Sequence, residues 1–177
     1  MGKSFDILQK MVIDYSQQSA WEESVQEWDI IACSIDEKKK KRCICGQEGL
    51  KYCFAIQNRY NRNILYPIGS SCILKFERRD LKQTLNIYEQ LFSIRTKYYN
   101  REKITLKDFS GALLQFFYEK GVFKPTRYNQ YNPENDYKFM VQMYHQVTDL
   151  TERQQSKVNA LIINYIIPYI QTLENPS

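Results

Sequence analysis

Residues 43–53 read CICGQEGLKYC, and residues 38–42 immediately before them read KKKKR. This stretch places three of the chain's five cysteines within eleven residues, next to a block of positive charge. Clustered cysteines in a protein of a reducing compartment more often indicate metal binding or catalysis than disulfides. Whether this stretch binds a metal ion therefore decides how the first half of the chain folds.

The composition predicts a soluble globular protein. The chain has 177 residues, of which 43% are hydrophobic and 25% charged, which suits one compact unit with two regions, 1–80 and 81–177. The most apolar stretch, 158–173, is shorter than a bilayer span of about 20 residues and contains Pro168. The first residues resemble no secretory signal, so we expect a cytoplasmic protein.

The cysteine spacing predicts a metal-binding knuckle followed by a hairpin. Cys43 and Cys45 flank one residue, and Gly46 allows the tight turn that would direct both thiolates at one ion. Strands predicted at 51–57 and 63–68 run out and back, which returns the chain to the knuckle near Cys72 at a helix start. A knuckle, a hairpin and a ligand at a helix start form the layout of a treble-clef zinc finger.

The sequence does not identify the fourth metal ligand. A treble clef usually takes a second ligand one helical turn after Cys72, but Lys75 occupies that position. Cys33, on a strand predicted at 27–35, is slightly favoured over Cys53, and His145 is a distant third candidate. The alternative to Zn²⁺ is that the cysteines are reduced and pack as small hydrophobic residues.

The remaining chain is predicted to be helical, which makes the fold class α+β: a small treble-clef-like β-hairpin zinc module packed on a mainly α-helical remainder. Helix starts are predicted at Ser4, at Ser70, at the capping-box variant TLKD (105–108), at Asn132 with Pro133, and at Thr151; Pro168 should kink or end the last helix.

Positive charge is concentrated where the cysteines are. Residues 38–79 carry a net charge of +9, against +5 for the whole chain. Such a block favours a polyanion as partner, although a solvated loop that maintains solubility would have the same composition. The residues predicted to contact nucleic acid, DNA or RNA, are Lys38, Lys39, Lys40, Lys41, Arg42, Arg59, Arg62, Arg78 and Arg79.

No motif for catalysis is present in the sequence. It lacks phosphate-binding glycine loops, the zinc-protease H-E-x-x-H and the nucleophile elbow G-x-S-x-G, and its one histidine cannot form a histidine pair. We therefore expect a non-enzymatic protein without a small-molecule substrate.

A second candidate surface is the segment KPTRYNQYNPENDY at 124–137. Arg127, Tyr128 and Tyr131 have the chemistry of recognition surfaces, because tyrosine gives a large contact area at low entropic cost. The alternative is an ordered connection whose tyrosines pack back onto the helices.

The cysteine pattern, C43-I-C45-G46 followed by I68-G69-S70-S-C72-I, resembles a group of small plasmid- and phage-borne bacterial proteins with a CxCG…IGSxCI signature. The resemblance covers about residues 27–80 and implies a zinc-finger-like protein of a mobile genetic element. Small basic proteins from that setting include anti-CRISPR inhibitors. Two functions follow as hypotheses: nucleic-acid binding through the basic surface, or inhibition of a nucleoprotein effector such as a CRISPR–Cas nuclease.

Overall fold

The computed structural model describes residues 2–173 and has the predicted α+β class. The chain divides into two compact units, 2–86 and 87–173, each described separately below. The sequence placed this division near residue 80, whereas the structure places it inside a long helix. Within the described residues, no helix combines the length and the apolar character needed to cross a membrane.

The first unit consists of short helices and one antiparallel sheet. Its elements, in chain order, are α1 (Lys3–Asp14), α2 (Trp21–Ser24) with a 3-10 turn (Val25–Glu27), β1 (Trp28–Ile35), β2 (Tyr52–Asn58), β3 (Ile64–Ile68), α3 (Ser70–Leu74) and the first part of α4 (Arg79–Tyr99). The three strands match those predicted from sequence to within a residue or two. Helix α2 was not predicted, because four residues are too few to show a helical period.

The sheet has the order β1-β2-β3, with β2 in the centre. Ile30 pairs with Ile56, and Cys33 pairs with Phe54, which in turn pairs with Ile68. Because side chains alternate along a strand, this register places Phe54 and Ile56 on the same buried face. The other face carries Ser34, whose hydroxyl lies 3.3 Å from that of Tyr66 on β3.

A buried carboxylate ties the helices of the first unit to the sheet. Glu27 is only 2% exposed and accepts hydrogen bonds from the backbone N–H groups of Gln17 and Gln18, each 2.8 Å away, and from the Asn58 amide. Burial acts to raise the pKa of Glu27, but these three hydrogen bonds outweigh it, so the pKa is lowered and the carboxylate stays charged.

Two predicted helix caps in this unit are wrong, Ser4 by two positions and Ser70 by one. Helix α1 is preceded by Gly2 and α3 by Gly69, and neither helix has a side-chain cap. Ser4 and Ser70 therefore lie within the first turn, where a hydroxyl cannot accept from the N–H groups that a cap satisfies. At α3 the cap position is held by Gly69, whose backbone N–H lies next to the cysteines.

The second unit is helical. It contains the rest of α4, α5 (Gly111–Glu119), α6 (Pro133–His145), α7 (Glu152–Leu161), a π-helical turn (Ile162–Ile166) and α8 (Ile167–Thr172). One apolar core joins these helices and includes Leu91, Leu113, Phe117, Met140, Val158 and Ile166.

The predicted helix boundaries of this unit are partly confirmed. Asn132 and Thr151 cap α6 and α7, with Pro133 in the first turn of α6. The TLKD motif forms its capping box but opens only a 3-10 turn, Leu106–Asp108, and the following helix is capped by Ser110. Pro168 does not end the last helical segment, because the chain passes through the π-helical turn and Pro168 lies in the first turn of α8, which continues to Thr172. The expected kink at Pro168 stays a prediction.

Candidate metal centre

Three thiols converge in the first unit. The Sγ atoms of Cys43, Cys45 and Cys72 all lie within 4.8 Å of one another, with 3.6 Å between Cys43 and Cys72 and 3.3 Å between Cys72 and Cys45. Each of the three residues is at most 3% exposed. All five cysteines of the chain are thiols and none forms a disulfide.

The turn that carries Cys43 and Cys45 is closed by the backbone. The Gly46 N–H donates to the Cys43 carbonyl, and the Cys43 N–H donates to the Gln47 carbonyl, both at 2.8 Å. Gly46 has φ +91°, a conformation that residues with a Cβ rarely adopt. The turn thereby directs both thiols to the same side, as the sequence predicted from the glycine.

The end of the hairpin and α3 hold the third thiol against this turn. The Ile44 N–H donates to the Pro67 carbonyl at 3.0 Å, and the Gly69 N–H donates to the Cys43 sulfur at 3.3 Å. A Cβ on Gly69 would come within 2.8 Å of the Leu50 side chain, so glycine permits this close approach. The next helical turn, α3, then places Cys72 beside both knuckle thiols.

The thiols influence one another's protonation. The pKa of Cys43 is lowered to about 5, first through its hydrogen bond with Cys72 and further through the N–H groups of Cys45 and Gly69. The pKa of Cys72 is raised by its hydrogen bond with Cys43, by burial and by the neighbouring sulfurs. The Cys43 thiolate is thus stabilised, while the Cys72 thiol is kept protonated by its neighbours.

The group has the dimensions of a metal site. Tetrahedral zinc with Zn–S bonds of about 2.3 Å separates its sulfur ligands by about 3.8 Å, close to the two separations given above. Buried thiolates are soft ligands that select ions such as Zn²⁺ or Fe over Mg²⁺ or Ca²⁺. The three cysteines can therefore hold a metal ion.

The group does not include Cys33, which the sequence favoured as fourth ligand, nor its competitor Cys53. Cys33 lies opposite Phe54 within the sheet, and its sulfur is 3.8 Å from the Ser34 carbonyl. Cys53 is fully buried, and burial raises the pKa of its thiol. His145 ends α6 in the second unit. Among residues 2–173, no further cysteine, histidine or carboxylate ligand joins the three.

The lysine loop, residues 38–42, is an ordered segment that leads directly into Cys43. The Asp36 carboxylate accepts the backbone N–H groups of Lys38 at 3.2 Å and of Lys40 and Lys41 at 2.7 Å each. A bridge between Lys41 and Leu50 fixes the far end of the loop. Sequence reasoning missed Asp36, although an aspartate just before a polar loop is a recognised turn signal.

The side chains of the lysine loop differ in what they contact. Lys38, Lys39 and Lys40 are exposed, and no acidic side chain in the described part of the chain forms an ion pair with them. The Lys41 ammonium contacts the Tyr66 hydroxyl and lies 4.8 Å from the centroid of that ring, and Arg42 pairs with Glu48.

The other four predicted nucleic-acid residues do not extend the lysine loop. Arg59 and Arg62 lie near the β2–β3 turn, roughly 20 Å along the seven-residue strand β2 from the knuckle. Arg59 pairs with Asp29 at 2.7 Å, and Arg62 and Arg79 are exposed.

Arg78 is a correction to the sequence prediction, because its side chain is only 9% exposed. Its guanidinium donates to the carbonyls of Val25 and Trp28 and pairs with Asp29 and Asp80. All its donors therefore serve the fold of the first unit.

In the second unit, residues 124–132 form an ordered loop with exposed aromatic side chains, and residues 133–137 belong to the start of α6. The buried Asn129 amide donates to the Lys124 carbonyl at 2.8 Å and to the Asp136 carboxylate at 2.7 Å. Tyr128 and Tyr131 are 77% and 73% exposed, so they do not pack back onto the helices.

Comparison with protein-family models, with curated proteins and with solved structures yields no match for this chain.

Proposed function

We propose that this protein is a non-enzymatic zinc-binding protein that binds nucleic acid through the lysine loop. The observation that carries the proposal is the direct connection between the two features: the loop that presents the lysines ends in Cys43, the first of three converging thiols. Zinc would fix the end of a loop that Asp36 already orders at its start.

Zinc is the metal that suits this group best. It accepts tetrahedral thiolate coordination, adds no redox chemistry and supplies folding energy to small modules. Water or a group of a partner would complete the coordination.

Nucleic-acid binding is favoured by the exposed, unpaired lysines. Within the described residues the three ammonium groups form no ion pair, so on this ordered loop they remain available to phosphates. The Tyr66 ring beside Lys41 is 41% exposed and could stack on an unpaired base. Contacts of this kind read the phosphate backbone and give little sequence preference.

Fluorescence anisotropy with labelled single-stranded DNA, duplex DNA and RNA tests the proposal. Three phosphate contacts to a single strand predict a slope of log K against log salt of about −2, so raising salt from 50 to 200 mM should weaken binding about 20-fold. The triple variant Lys38→Gln, Lys39→Gln, Lys40→Gln should reduce the slope by about 2.

A matched control removes the same charge from exposed lysines elsewhere, with Lys82→Gln, Lys103→Gln and Lys107→Gln. This control should keep the steep salt dependence. Equal losses in the two triple variants would refute a role for the lysine loop and leave only an effect of net charge.

A second function, capture and inhibition of a nucleoprotein effector, is supported by the loop at 124–132. Its backbone holds Gln130 and Tyr131 at φ +57° and +59°, a costly conformation for residues with a Cβ. Buried hydrogen bonds of Asn129 offset that cost and keep the tyrosines outward. Rigid exposed tyrosines beside Arg127 are typical anchors of protein interfaces.

Cleavage of target DNA by a purified Cas nuclease with its guide RNA tests this second function directly. Inhibition that Tyr128→Ala and Tyr131→Ala abolish would support it, with the 62%-exposed Tyr60 changed to Ala as control. Undiminished inhibition by both loop variants would exclude the loop as the anchor.

A further inference from the structure

A cleft separate from the cysteine group lies in the first unit, against α1, α2 and the end of α3. Its volume is about 760 Å³, within the range of small-molecule sites. Phe5, Trp21 and Phe76 form its aromatic part, and Glu22, Lys75 and Glu77 are its charged residues. Neither proposed function uses any of these side chains.

The three aromatic rings form walls in different orientations. The Trp21 ring centroid lies 5.5 Å from that of Phe5 and 5.5 Å from that of Phe76, with interplanar angles of 79° and 85°. Phe76 is 3% exposed and closes the cleft from the protein side, while Phe5 and Trp21 are half-buried. At these distances the rings are in edge-to-face contact with one another, and the aromatic surface that they leave open lines the cleft, where a cation can lie against it.

The cleft already holds a cation of the chain itself. The Lys75 ammonium lies over the Phe5 ring, 5.2 Å from its centroid. The face of that ring, where the π electrons are concentrated, is therefore directed at a positive charge. With two carboxylates and one ammonium among the lining residues, the cleft has a net negative charge that favours a second cation.

We propose that this cleft binds a methylated ammonium group, with Phe5 and Trp21 as the walls that face it and Glu22 and Glu77 as the surrounding negative charge. A methylated ammonium fits better than a bare one, because its methyl groups need no hydrogen-bond acceptors and bury well against rings. The Lys75 ammonium occupies part of the site and competes with the incoming group. This inference does not depend on the cysteine group or the lysine loop.

Tryptophan fluorescence measures the binding, because Trp28 is fully buried and Trp21 lines the cleft. Choline is the first probe, and 3,3-dimethylbutan-1-ol, which has the same shape without the charge, is its control. Choline should change the emission saturably and bind at least about fivefold more tightly than the neutral compound. Equal binding of both, or no saturable change with choline, would overturn the proposal.

Two variants test the assigned roles. Lys75→Met keeps the stem but removes the competing charge, so choline should bind more tightly; Lys10→Met, an exposed lysine outside the cleft, should leave binding unchanged. Glu77→Gln should weaken choline but not the neutral compound. Weaker choline binding in Lys75→Met, with circular dichroism showing an intact fold, would contradict the competition.

A peptide carrying trimethyllysine distinguishes the source of the group. Tighter binding of this peptide than of choline, and loss of binding when the lysine is unmethylated, would assign the cleft to a methylated protein. Binding no tighter than that of choline would assign it to a small ammonium compound.

Discussion

Replacing Gly46 by alanine should weaken metal binding through the backbone alone. Gly46 has φ +91°, and a Cβ added there would meet no atom within 4 Å, so the variant introduces no clash. Holding an alanine in a left-handed conformation costs about 1–2 kcal/mol. Because the knuckle can relax when no metal requires both thiols, this cost should appear in the metal Kd, as a loss of about 5- to 30-fold.

Gly49→Ala is the matched control for this prediction. Gly49 also has a positive φ, +79°, and also has no atom within 4 Å of an added Cβ, but it lies outside the turn that carries the two thiols. Its replacement should lower the free energy of unfolding without changing the metal Kd. Competition with a chromophoric chelator measures both affinities. Equal zinc affinities of Gly46→Ala and Gly49→Ala would refute the reasoning.

Three further changes test the account of each unit. Glu27→Gln should lower the free energy of unfolding by about 3 kcal/mol, because the new amide would face buried N–H donors. Glu23→Gln, a change at an exposed neighbour, should leave that free energy almost unchanged. Equal losses in the two variants would contradict the buried network. The folded-state pKa of Glu27 is lowered, so its contribution to stability is complete above the unfolded-state pKa and disappears as the pH falls through the folded-state pKa. In urea denaturation at decreasing pH, the free energy of unfolding of the wild type should therefore approach that of Glu27→Gln. Arg78→Lys should lower the free energy of unfolding by about 2 kcal/mol, because an ammonium cannot reproduce the hydrogen bonds of the guanidinium to the carbonyls of Val25 and Trp28. An unchanged urea midpoint would show that these hydrogen bonds are dispensable. Asn129→Ala should release its loop and speed tryptic cleavage after Arg127, and a resistant loop would mean that other contacts hold it.

The sequence predicted the features that depend on local spacing. Cys43, Cys45 and Gly46 are so close in the chain that their geometry follows from one turn, and the hairpin length brings Cys72 back to them. Helix starts with a polar cap and a proline, such as Asn132, were also predictable, because the cap acts within four residues.

The features that the sequence did not predict depend on tertiary contacts. Arg78 resembles any surface arginine until the carbonyls of Val25 and Trp28 are placed around it. Cys33 was favoured as a ligand because its loop is long enough to reach the knuckle, but pairing with β2 places it opposite Phe54. The aromatic cleft joins Phe5, Trp21 and Phe76, residues that no local pattern connects.

The zinc content of the purified protein and of single cysteine variants tests the central claim most directly. Elemental analysis should find about one zinc per chain in the wild type, in Cys33→Ser and in Cys53→Ser, and none in Cys72→Ser, because Cys72 is one of the three converging thiols. A folded wild-type protein without zinc, or a Cys72→Ser protein that keeps it, would contradict the metal centre on which the proposed function rests.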